Sequence, residues 1–184
     1  KTHFTIFDHW GNFEYFDEKG PHVDDVPIAK PLLQRLFEAR VALAETAVNK
    51  PDEASFNLVV DSIRRDVIDL PDRTIAVREN WKHVDQMRQE HILKQFDAAV
   101  KGVLMQDIAP LMQWRAIAGH EEGYKFDLLI AKLQRERLLG SSRFDDLKDE
   151  LRNEVERLQM NLNPVRAKEQ TINEVRSTVF WNDV

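Results

Sequence analysis

The 184-residue chain has no cysteine. That removes disulfide staples, thiol nucleophiles and cysteine-rich zinc sites together, and it fits a reducing, cytoplasmic setting. Six glycines and seven prolines are few for this length, which argues against a β-sandwich with its frequent turns. No apolar run approaches the roughly 18 residues a membrane-spanning helix needs. A glycine-rich phosphate loop, a Gly-x-Ser-x-Gly elbow and a dinucleotide fingerprint are all missing, so the segment has no Walker motif with which to hold ATP. The first residues, Lys1-Thr2-His3-Phe4, show neither an initiator Met nor a signal-peptide pattern. With Phe180-Trp181 close to the other end, both termini read as cut from something longer.

What is present describes a folded, water-facing chain. Hydrophobic residues make up 42% and charged residues 32%, which excludes both a disordered and a membrane-embedded class. A chain of this size buries roughly 70% of its unfolded surface, so no staple is required. Lys and Arg number 26 against 32 Asp and Glu, and the net charge of −6 gives no global attraction to nucleic acid.

Residues 1–20 read as a β-hairpin. Phe4-Thr5-Ile6-Phe7 and Phe13-Glu14-Tyr15-Phe16 are rich in aromatic and β-branched residues, and Gly11-Asn12 between them suits a type II′ turn. Residues 21–31 form a linker punctuated by Pro21, Pro27 and Pro31. Helical periodicity then governs residues 32–184, so the expected fold is mostly α with a short N-terminal hairpin. Leu33, Leu36, Phe37, Leu43, Ala44 and Ala47 mark a first helix ending at Lys50-Pro51. Asp52 caps a second, striped by Phe56, Val59, Val60, Ile63 and Val67. Residues 74–101 are helical by propensity but polar, and read as two pieces. Gly119–Gly123 reads as a loop, followed by a helix over 124–139. Ser142, with Asp145 three residues on, predicts a capping box for a helix striped by Phe144, Leu147, Leu151, Val155 and Leu158. Asn163-Pro164 predicts a last helix to about Arg176.

Shifting the chain by 88 residues overlays Phe56 on Phe144, Ile63 on Leu151, Arg64 on Arg152, Val67 on Val155, Leu70 on Leu158 and Val77-Arg78 on Val165-Arg166. Two readings stay open: coincidence between amphipathic helices, or two related helical units.

No catalytic or metal-ligating set rises above composition. Asp8 with Asp17-Glu18-Lys19 formally matches an acid-then-acid-x-Lys nuclease pattern, but Asp146-Leu147-Lys148 repeats acid-x-Lys on a helix, as chance predicts. His83 and His91, and likewise His3 and His9, lack the i,i+4 spacing with a carboxylate that a helical zinc site uses. Binding features are clearer. Lys125, Lys132, Arg135 and Arg137 form a candidate basic face for DNA phosphates, interrupted by Glu136. Among four tryptophans, Trp81, Trp114 and Trp181 are candidate partner-interface anchors, with the proviso that any found buried counts as core.

Several short motifs recur together. Lys1–Asp8 with Asn12–Phe16 resembles the segment following the second motor domain in restriction subunits of type I restriction-modification enzymes. Ile108-Ala109-Pro110-Leu111-Met112, Tyr124-Lys125-Phe126-Asp127-Leu128 and Asn161–Lys168 resemble that family's C-terminal helical region, and in the same order. The resemblance implies a parent with a nuclease domain, two ATP-driven motor domains using ATP and Mg²⁺, and a helical region that docks the motor onto the methyltransferase and specificity subunits. On this reading the segment is non-catalytic and needs no cofactor of its own. The family's nuclease, Walker and helicase-arginine residues have no matching positions here. The competing expectation is a helical domain that contacts duplex DNA and guides it during translocation.

Overall fold

The computed structural model describes residues 29–182, and the chain divides at Lys30 and Pro31 into two units. The expected hairpin, and the linker through residue 28, lie outside the described residues. Those residues are all-α and 76% helical, with no strand among them.

Helix α1 (Leu32–Asn49) follows Pro31, whose carbonyl accepts the first-turn hydrogen bond from the Arg35 amide at 3.0 Å. Helix α2 (Glu53–Ile68) starts as its sequence predicts: the Asp52 carboxylate accepts from the Ser55 amide at 2.9 Å, satisfying an otherwise unpaired first-turn donor. The polar stretch that follows breaks into more pieces than expected, namely α3 (Ile75–Glu79), α4 (Trp81–Met87), α5 (Glu90–Leu93) and α6 (Ala98–Val103). A π turn (Leu104–Ile108) and a 3₁₀ turn (Ala109–Trp114) lead to α7 (Glu121–Leu139). Gly140, at φ 64°, ends α7 in the left-handed conformation that a side chain disfavours. Helix α8 (Arg143–Glu156) follows, then α9 (Asn163–Arg166), α10 (Glu169–Arg176) and α11 (Thr178–Asn182).

Two sequence expectations need correction. The capping box at Ser142 does not form: Ser142 is itself helical in φ and ψ, and the Ser141 hydroxyl takes the Arg143 amide at 3.2 Å instead. The helix from Asn163 to Arg176 is interrupted at Ala167 and Lys168, because the short α9 is polar and buries no side chain that would continue it.

Adding 88 to the bounds of α1 to α5 reproduces those of α7 to α11 within two residues at every end. Equivalent positions share roles. Ile63 and Leu151 are both buried, as are Val67 and Val155, and Leu93 and Trp181. The first helix of each set packs on the second, and the two first helices, α1 and α7, pack most extensively along each other. Segment 98–114 follows only the first set among the described residues. It adds Val100, Leu104, Ile108, Leu111 and Met112 to the larger core, which is centred on Leu36, Phe37, Val41 and Ile63. Fully burying each such side chain contributes about 1.5–3 kcal/mol. A smaller core joins Leu129, Leu133, Leu147, Leu151 and Trp181.

Candidate docking surface

The sequence singled out three tryptophans, and the fold separates them. Trp81 begins α4 and is 59% exposed. Its ring carries the Lys82 ammonium 5.8 Å from the centroid and borders a shallow cleft of about 190 Å³ with Val77, Val84 and Arg88. Ile75, on the preceding short helix, is also largely exposed. Trp114, last residue of the 3₁₀ turn, is half-exposed while its neighbours Leu111, Met112 and Arg115 are buried. Its exposure is therefore local: the backbone is anchored and the indole points away from the core. Trp181 is 4% exposed, donates its indole N–H to the Val175 carbonyl at 2.5 Å and meets Phe180 edge to face. By the sequence proviso it is core, and it leaves the candidate set. The reason is its place in α11, where it fills the smaller hydrophobic cluster.

The four basic candidates lie on one helix, α7, and three of them share a face. Residues turn about 100° each along a helix, so Lys125, Lys132 and Arg135 fall within about 80° of one another, whereas Arg137 sits about 160° from Arg135 around the axis. Arg135 is half-buried against buried Glu136, 3.0 Å away. Lys125 donates to Glu122 at 2.7 Å, which raises its pKa above the ordinary lysine value, and Glu121 lies 3.6 Å away. Lys132 and Arg137 are exposed and carry no ion pair among the described residues. The basic face read from sequence thus loses Arg137, and two of the other three charges, those of Lys125 and Arg135, are already matched by carboxylates.

Sequence reading missed the most organised polar feature. Asp66, 3% exposed on α2, accepts from Arg40 Nη1 of α1 at 2.7 and 2.6 Å and from Arg115 Nη1 at 2.7 Å. Arg40 also reaches Asp127 of α7, and Arg115 reaches Asp69, each at 3.0 Å. Arg115 also lies over the Tyr124 ring, 5.8 Å from its centroid. Only the position of Asp66 beside Val67 on the apolar stripe of α2 could have signalled it. The network ties α1, α2 and α7 to the chain after the 3₁₀ turn. A groove of about 300 Å³ beside it includes Arg40, Asp61, Arg65 and Asp127, and the Arg40 guanidinium there is committed to Asp66 and Asp127.

Among the described residues no three His, Asp or Glu side chains gather to hold a metal ion. His83 lies 3.2 Å from Asp107, whereas His91 is exposed on the next helix. Asp146 and Lys148 sit on α8, where Lys148 donates to the Trp181 carbonyl at 2.6 Å and so closes α11 onto α8. Asp8, Asp17, Lys19, His3 and His9 lie outside the described residues. No described helix is long and apolar enough to cross a membrane.

No family model matches the chain, and comparison with characterised proteins and with solved structures gives no match.

Proposed function

We propose that this chain is a non-catalytic assembly module: the C-terminal helical domain of a type I restriction subunit, docking an ATP-dependent translocase and endonuclease onto its methyltransferase and specificity subunits in the cytoplasm. The exposure of Trp81 and Trp114, the two indoles of the described residues that lie outside the cores, carries the reading. Half-exposed indoles on anchored backbone are the side chains that dominate binding energy at protein interfaces. The resemblance of the motifs around Ile108, Tyr124 and Asn161 to that family's helical region supports the choice of parent and partners. ATP and Mg²⁺ belong to the motor and nuclease domains of that parent. The matching bounds of α1–α5 and α7–α11 support two related helical units.

DNA guidance is the competing reading. The carboxylates already paired with Lys125 and Arg135, and the turning of Arg137 away from the other three, weigh against it, because phosphate tracking needs free cations on one surface. The decisive experiment is titration of the chain against the methyltransferase–specificity complex and against duplex DNA, each over a salt series. Binding to the complex that weakens at least tenfold on Trp81→Ala or Trp114→Ala is expected. Absence of that binding, with tight salt-sensitive DNA binding, sinks the docking role in favour of DNA guidance.

A further inference from the structure

A groove of about 480 Å³ lies between the N-terminal half of α7 and the C-terminal half of α8, with Leu158 just beyond it. Phe126, Leu129 and Leu158 give it an apolar floor, and Glu122, Glu150 and Glu154 stand at its edge. Lys125 is the one cation lining it, already bonded to Glu122.

The first helical set shows what covers this kind of surface. At the 88-residue spacing, Glu154 corresponds to Asp66 and Leu158 to Leu70. Asp66 and Leu70 are each 3% exposed, whereas Leu158 is 40% exposed and Glu154 meets only the exposed Arg157, at 2.8 Å. The difference lies in segment 98–115. Its π and 3₁₀ turns lay Leu104, Ile108, Leu111 and Met112 against the larger core, packing on α1, and Arg115 then closes on Asp66 and Asp69. Over α7 and α8 no described segment does the same.

We propose that the α7–α8 groove is a docking site for a partner helix with an apolar face followed by an arginine, the chemistry that segment 98–115 presents to α1 and α2. Three carboxylates around an apolar floor select a basic amphipathic helix over a neutral or acidic one. Residues 1–28 of the same chain, with two lysines against six acids, are the wrong sign. The inference concerns the groove alone and does not depend on the parent enzyme, since neither Trp81 nor Trp114 lines it.

The probe is a fluorescein-labelled synthetic peptide of residues 98–115, titrated into the full chain by anisotropy and by NMR of the groove residues. Saturable binding with shifts at Phe126, Leu129 and Leu158 is expected. It should weaken at least tenfold on Leu158→Glu, on the Glu150→Arg/Glu154→Arg pair, and when the peptide's Arg115 is replaced by glutamate. Unchanged thermal midpoints for these surface variants confirm that folding is intact. The proposal is overturned by absent binding or by binding indifferent to the charge reversals. It is equally overturned if the free chain self-associates until Leu158→Glu restores monomers, or if residues 1–28 give contacts to Leu158 in the free chain.

Discussion

Arg115 and Asp66, 49 residues apart, meet at 2.7 Å with both side chains nearly excluded from solvent. A buried carboxylate is costly unless paired, and here two guanidiniums satisfy it. Asp66→Ala leaves Arg40 and Arg115 facing each other without that shared counter-ion. It should destabilise the chain by about 3–5 kcal/mol, read as a lower urea midpoint. Arg115→Met should cost less, because Asp66 keeps Arg40 and the methionine keeps apolar cover. Equal losses in the two variants would contradict a shared carboxylate.

The tryptophans should separate by stability as they do by exposure. Trp181→Ala opens a cavity in the smaller core and should cost about 3–5 kcal/mol. Trp81→Ala and Trp114→Ala should stay within about 0.5 kcal/mol of the parent chain, as surface changes do. Thermal melts of the three variants decide it. A large loss at Trp81 would make that indole a structural residue and remove it from the docking surface.

The Asp52 cap gives a signed pH dependence. Its hydrogen bonds from the Ser55 amide and then the Ser55 hydroxyl lower its pKa below the ordinary 3.8. A depressed folded-state pKa contributes stability above the unfolded value and loses it as pH falls through the folded one. Asp52→Ala should therefore lower Tm at neutral pH, with a deficit that shrinks once the carboxylate protonates. A deficit that grows on acidification would mean that the charge is not what stabilises the cap.

Charge reversal along α7 tests the two basic residues that no described carboxylate pairs. If Lys132 and Arg137 contact phosphates, changing both to Glu should flatten the salt dependence of DNA binding by about two in log–log slope. Their placement predicts no such change, since they turn away from each other around the helix. A drop of two would restore the basic face that the sequence suggested.

Much of the fold is legible in the chain itself. The stripes Phe56–Val67 and Phe144–Val155, the stop at Lys50-Pro51, the Asp52 cap and the turn at Gly140 are local facts, and local hydrogen bonding and apolar periodicity decide them. The 88-residue echo is legible too, because burial at Ile63 and Leu151 selects the same residue type twice. Other features belong to tertiary structure alone. Whether Trp181 or Trp114 faces water depends on which neighbours arrive from distant sequence, and no local pattern carries that information. Asp66 reads as an ordinary exposed acid until Arg40 and Arg115 close on it from 26 and 49 residues away. The α7–α8 groove likewise exists because no described segment covers it as 98–115 covers the first set. Periodicity reports which face of a helix is apolar; only packing decides whether that face is filled.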